Sequence, residues 1–340
     1  MLLPGVLHNR PALVELADLR RFVFIPEDWL RAERNAQTIA AVVQGAGVLI
    51  AVITVIAGMI AAVVSWSRRQ FSVRLFLMVA TVFLGLSAVG LINNFPALLA
   101  SLQTSQPLQL QLAVLIGSSA VGLLLQAAAL GLIAGAVPMW SAAHRLEPRI
   151  AVALGLALGA AAAGAIVLSA MPGSGPIWPS YAGAAAFVPL LSAATTPVAA
   201  LFLRITILML IVATANRLSD GWTRRRILTA ALLVIVGGVL GNAGSPLNLA
   251  AWIASAAIIG ALLLAAFVVV LRHHGRIVPF AAALLTTAAT LREGWTRAYP
   301  GVLTGALIAC VVMWVVAIVW FRALDRLYRT AERPVEEPAI

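Results

Sequence analysis

Residues 172–226 read PGSGPIWPSYAGAAAFVPLLSAATTPVAALFLRITILMLIVATANRLSDGWTRRR. A Pro/Gly/Trp loop leads into about thirty apolar residues that carry a single charge, Arg204, and that close on a basic cluster. A stretch of that length and polarity is long enough to cross the roughly 30 Å hydrocarbon core as a helix. Pro189 and Pro197 interrupt it, and the expectation is a helix broken near Pro197, with freed carbonyls around Thr195 and Thr196.

Seven further runs share this character, at about 37–66, 72–99, 111–140, 150–171, 227–243, 248–271 and 301–321. Across the 340 residues, 62% are hydrophobic and 10% charged, and the mean hydropathy is +1.02. Both proportions depart from those of soluble domains in the membrane direction. Backbone groups inside the hydrocarbon must be satisfied within the segment, so the runs are expected to be helices. Alternating ten-residue strands, the mark of a membrane barrel, are absent. The expected fold is all-α, a polytopic integral membrane helix bundle with about eight transmembrane helices. Residues 277–291 are expected to add a short re-entrant or interfacial helix, because fifteen residues reach only about 22 Å.

The organisation that follows is a polar N-terminal segment, 1–35, a helix-bundle domain, 36–325, and a polar tail, 326–340. The N-terminal segment has the Pro-Glu-Asp start of an amphipathic helix at Pro26 and lacks the compact apolar core of a signal peptide. All 23 basic residues are arginine, which removes lysine-dependent chemistry. The net charge of +11 sits in short loops between apolar runs, where a membrane face explains it better than nucleic acid does.

Arginines follow alternate runs. Arg68, Arg69 and Arg74 come after the first, Arg145 and Arg149 after the third, Arg217 and Arg224 to Arg226 after the fifth. Arg272, Arg276, Arg292 and Arg297 follow the seventh, and the loops between these groups have none. The positive-inside rule then makes the arginine loops cytoplasmic in a cell (inner) membrane and puts the N-terminal segment outside. An external segment without a signal peptide also suits the back half of a longer polytopic protein. Eight crossings leave Arg322, Arg326, Arg329 and Arg333 outside, and a crossing by 277–291 would bring them in. Trp66, Trp140, Trp178, Trp222, Trp252 and Trp295 fall near run ends, as interfacial anchors do.

Chemistry is sparse. All twelve acids lie in loops, tails or run ends, so a buried proton-carrying carboxylate is not expected. There is no HExxH pair and no phosphate-binding GxxxxGK[ST] loop. His8, His144, His273 and His274 stand at loops or run ends, and the last two read as part of a solvated basic loop beside Arg272 and Arg276. Cys310 is the one cysteine, so neither a disulfide nor a cysteine metal cluster is expected. The general style resembles the membrane regions of bacterial CAAX-type proteases, but their paired-glutamate motif and in-membrane histidines are missing, and no residue role carries over.

Arg204 is the sharpest binding candidate, because a charge at membrane depth is costly unless it faces the bundle interior, water or a partner. Thr195, Thr196, Asn93, Asn94 and Gln126 are the other candidate lining residues, and Gln44 is a further membrane-depth amide. Asn93 and Asn94 precede Phe95-Pro96 and mark a second irregularity. Glycine pairs four apart, such as Gly131/Gly135 and Gly301/Gly305, permit close helix contact.

Three functions follow as expectations. The first is a non-catalytic membrane subunit or scaffold of a larger assembly, with a protein partner or a second copy of itself. The second is a transporter or channel for a small, anionic solute using Arg204. The third is an intramembrane enzyme, which would need a loop carboxylate such as Asp220 or Glu293. The bilayer is the partner common to all three; no cofactor, metal or nucleic acid is expected.

Overall fold

The computed structural model describes residues 27–100, 102, 107–136, 148–169, 183–241, 249–297 and 299–331. Expectations that fall elsewhere, on His8, Trp140, His144, Arg145, Trp178 and Arg333 among them, lie outside the described residues. The described residues are overwhelmingly helical and include no strand.

In chain order the helices are α1 (Glu27–Ser67), α2 (Val73–Asn93), the short α3 (Phe95–Ala100), α4 (Leu108–Gly135) and α5 (Pro148–Ser169). There follow α6 (Pro189–Leu218), α7 (Arg226–Gly241), α8 (Leu249–Ala266), α9 (Val278–Thr296) and α10 (Val302–Ala331). A π-turn, Phe267–Leu271, extends α8, and a 3₁₀ turn, Gly275–Ile277, leads into α9. Six segments are long and apolar enough to cross a membrane: 30–67, α2, α4, α6, 252–271 and 302–326. The runs at 150–171 and 227–243 form shorter apolar helices.

Local chemistry fixes several helix ends. Ser72 caps α2, its hydroxyl accepting from the Leu75 N–H at 3.4 Å, while its own N–H donates to the Gly135 carbonyl at 2.8 Å. One residue thereby starts α2 and joins it to the end of α4. Extended Val188 and Pro189 start α6, where a proline in the first turn gives up no intrahelical bond. The polar 27–35 segment forms no separate helix. It is the first part of α1, with Arg31 paired to Glu27 at 2.8 Å one turn away.

Glycines set the helix spacing. A Cβ on Gly260 of α8 would stand 2.2 Å from the Val234 carbonyl oxygen of α7, and one on Gly305 of α10 would stand 2.6 Å from that of Leu190 in α6. Gly131 and Gly135 likewise admit Phe76 and Phe71, and Gly155 and Gly159 admit Ile277 and Leu284. These approaches also give the helix directions. Leu190 meets Gly305, so α6 and α10 run parallel; Gly294 meets Ala306 while Arg276 pairs with Asp325, so α9 and α10 run antiparallel. Asn93 meets Val188, placing the end of α2 beside the start of α6.

Followed through the chain, successive long helices alternate in direction from α1 to α10 with α9 included and only the short α3 left aside. One end of the bundle therefore holds the ends of α1, α4, α6, α8 and α10 and the starts of α2, α5, α7 and α9. Arg68, Arg69, Arg74, Arg149, Arg217, Arg224 to Arg226, Arg272, Arg276, Arg322 and Arg326 all stand there. At the other end Arg31, Arg34, Arg292 and Arg297 are balanced by Glu27, Asp28, Glu33 and Glu293. Arg292 and Arg297, grouped by sequence with Arg272 and Arg276, are thus separated from them by the length of α9.

The core gathers around α6, where Leu201, Phe202, Ile205 and Met209 are buried with Met313, Ala317 and Trp320 of α10. Phe202 and Trp320 pack with their rings tilted by 51° and centroids 5.4 Å apart. α9 is enclosed by α5, α6 and α10, and from Val278 to Thr290 it has no exposed residue.

Candidate functional site

Arg204 is the sixteenth of the 30 residues of α6, half-way along a helix that runs uninterrupted from Pro189 to Leu218. The expected break at Pro197 is not there. Proline lacks the N–H that would bond the Ala193 carbonyl, and a membrane helix tolerates that loss when a neighbour packs closely. Gly305 of α10 does so, since a Cβ at that position would lie 2.7 Å from the Ala193 Cβ.

The Arg204 side chain is open to the surface of the bundle and donates from Nη1 to Thr286 Oγ1 of α9 at 3.2 Å. Thr286 passes its own proton to the Ala282 carbonyl at 2.7 Å, and Thr290 donates to the Thr286 carbonyl at 2.8 Å. Thr286 is buried, so its hydroxyl is a fixed acceptor. Glu293, about two turns further along α9, is paired with Arg297 at 3.0 Å.

The other candidates do not converge on Arg204. Asn93 is 4% exposed and clamps Val188, its Nδ2 donating to the carbonyl at 3.0 Å and its Oδ1 accepting from the N–H at 2.9 Å. Its backbone carbonyl accepts from the Phe187 N–H at 2.9 Å. Asn94 ends α2 and accepts from the Ser192 hydroxyl at 3.1 Å. Both asparagines hold the start of α6 to the end of α2, about 18 Å along α6 from Arg204 if Ser192 is the reference. Thr195 donates to the Leu191 carbonyl at 2.9 Å and faces Gly90 of α2, half a helical turn round from Arg204. Thr196 and Gln126 are exposed, the latter on the outside of α4.

The arginine end holds what sequence reasoning missed. His274 is 1% exposed, so the basic loop is only partly solvated; it folds under the π-turn, whose residues Phe267 and Val270 are fully buried. Arg276 forms a half-buried ion pair with Asp325, tying the start of α9 to the end of α10. Between α6 and α7, Asp220, Trp222 and Arg225 adopt positive φ of 46°, 72° and 49°, a strained conformation for residues with a Cβ. Buried Ser219 holds that turn, donating to the Ala215 carbonyl at 2.7 Å and accepting from the Trp222 N–H at 3.0 Å. The ring of Trp222 then meets Phe267 edge-on at 5.8 Å. Pairs 49 residues apart such as Arg276 and Asp325 have no local sequence signal; the proximity of Ser219 to a Gly-Trp turn was the one visible hint.

No group of three or more His, Cys, Asp or Glu residues suited to a metal ion occurs among the described residues. What the described residues define is a helical bundle with six helices long and apolar enough to cross a membrane and a strongly cationic end. Compared with known proteins, the chain matches no family model, and neither a curated protein nor a solved structure shows significant similarity to it.

Proposed function

We propose that the chain is a non-catalytic membrane scaffold or subunit whose cationic end receives an acidic protein partner on the cytoplasmic side. One observation carries this reading. At membrane depth Asn93 and Arg204 bond across to neighbouring elements, whereas most of the arginines at one end stand exposed together. In this reading nine helices cross the bilayer, α9 among them. At 19 residues α9 is about 28 Å long, close to the hydrocarbon thickness, and it leaves no face for an interfacial position. Nine crossings bring the start of α1 outside and Arg322 and Arg326 inside, which restores the positive-inside pattern.

The test is gentle solubilisation of tagged protein from its native host and identification of what co-purifies in stoichiometric amount. The scaffold reading expects a soluble or membrane partner that dissociates as salt rises. A monodisperse protein with no partner at any ionic strength contradicts it.

A second reading, transport of a small anionic solute, is favoured by the exposure of Arg204 at the midpoint of α6. Arg204→Gln should then abolish uptake while leaving folded protein, and unchanged uptake removes this reading.

A further inference from the structure

A cavity of about 180 Å³ opens between α1, α6 and α7. Ile53 and Ala57 of α1, Leu210 and Thr214 of α6, and Leu232 and Leu233 of α7 form its almost wholly apolar wall. Ile53, Ala57, Thr214 and Leu232 are exposed, so it is a cleft open on the outer surface of the bundle, and its apolar wall suits an apolar chain. Thr229 of α7 also lines it, and its hydroxyl is 1% exposed with no hydrogen-bond partner. An unsatisfied buried hydroxyl is costly, so its presence in an apolar wall points to an occupant with an acceptor near the arginine end.

The three helices carry the same message beyond the cavity. Continuing each lining stripe toward the arginine end leads to a cation. Arg68 lies eleven residues from Ala57, Arg217 three from Thr214, and Arg226 three from Thr229, each spacing returning to the same face of its helix. All three arginines are exposed. Arg226 also opens α7, where the first-turn N–H groups favour an anion.

We propose that this cleft binds an anionic phospholipid drawn from the bilayer. One acyl chain enters between α1, α6 and α7, the glycerol ester meets Thr229, and the phosphate is held by Arg217 and Arg226 with Arg68 across the mouth. The site requires only that the bundle is embedded; it does not depend on the scaffold role. It gives the cationic end a bound lipid that fixes α1, only 12% of whose most apolar stretch is buried, against the core.

The measurement is native mass spectrometry of the detergent-solubilised full chain titrated with phosphatidylglycerol, phosphatidylcholine of the same acyl chains, or free glycerol 3-phosphate. Phosphatidylglycerol should be retained about tenfold or more tightly than phosphatidylcholine, since each arginine near a membrane surface contributes about 1 kcal/mol. Glycerol 3-phosphate should not be retained. The double variant Arg217→Gln/Arg226→Gln should lose the preference between the two lipids. Ala57→Trp should lose retention of both, and Ile56→Trp, on an exposed neighbouring position outside the lining, should lose neither. Gel filtration shows that each variant is folded. Equal retention of both lipids by the parent protein, an unchanged preference in the arginine variant, or retention of glycerol 3-phosphate overturns the proposal.

Discussion

The helices α1 and α9 are opposites. The span in α1 has a mean hydropathy of 2.8, yet only 12% of its most apolar stretch is buried within the protein. α9 contains four threonines, an arginine and a glutamate, is not among the segments apolar enough to be counted as spans, and has only buried or half-buried residues from Val278 to Thr290. In water the more apolar helix would be the interior one. In a bilayer the outer helices must dissolve in lipid, while an inner helix meets only protein and can carry hydroxyls that bond to its own carbonyls or to a neighbour. Hydropathy alone therefore does not mark the interior here. Segments 252–271 and 302–326 match α1 at 2.8 yet are 33% and 39% buried, and α4 at 1.9 is 6% buried. The helix that falls short of a span packs among three others.

The largest test of that contrast uses glycine. Gly305→Leu in α10 forces a side chain into the Leu190 carbonyl and the Ala193 Cβ of α6, an overpacking that costs about 3 kcal/mol or more. It should sharply lower the unfolding temperature seen by fluorescence-detected gel filtration. Gly117→Leu, on α4 where nothing lies within 4 Å, should leave that temperature unchanged. Similar losses from both would mean that the outer face of α4 is covered by protein.

A smaller effect is expected from the buried amide. Asn93→Ala leaves the Val188 N–H without its partner, while the Val188 carbonyl keeps the Leu191 and Ser192 N–H groups, and should cost about 1–2 kcal/mol, read as a lower unfolding temperature. Gln126→Leu, on the exposed side of α4, should be neutral or stabilising in detergent. A strong loss from the glutamine change would show that it faces a partner helix instead of lipid.

The smallest effect concerns the hydroxyls. Thr286→Val removes the acceptor of Arg204 and should cost about 1 kcal/mol, in the range of interhelical hydrogen bonds within membranes. Thr54→Val in α1 removes only a bond of 2.7 Å to the Ile50 carbonyl of its own helix and should change stability less. The reverse order would contradict the placing of α9 in the interior.

The same contrast explains what the sequence disclosed. The spans in α1, α2, α4, α6, α8 and α10 are legible because lipid selects uninterrupted apolar runs. The extent of α9 is not, because its last turn carries Arg292 and Glu293 and an apolar count stops short of Thr296. Pro197 looks like a break because proline removes a bond, yet the helix continues through it with Gly305, 108 residues on, packed close against that turn. The irregularity at Asn94 was visible in the Asn-Asn-Phe-Pro sequence, and the helix does end at Asn93. Its use as a clamp on Val188, 95 residues away, was not. Arg204 was legible as a costly charge, but Thr286 was hidden as its partner because it belongs to the helix that hydropathy undervalued.

The enclosed α9 decides the topology, so the most direct measurement compares the side of two reporters. Alkaline phosphatase and green fluorescent protein would each be fused after Ile340 and, separately, inserted in the Ser219–Arg225 turn. Nine crossings predict that both sites lie on the same side, fluorescent and without phosphatase activity. Phosphatase activity at Ile340 with fluorescence at the turn would mean that α9 does not cross, and would contradict the account.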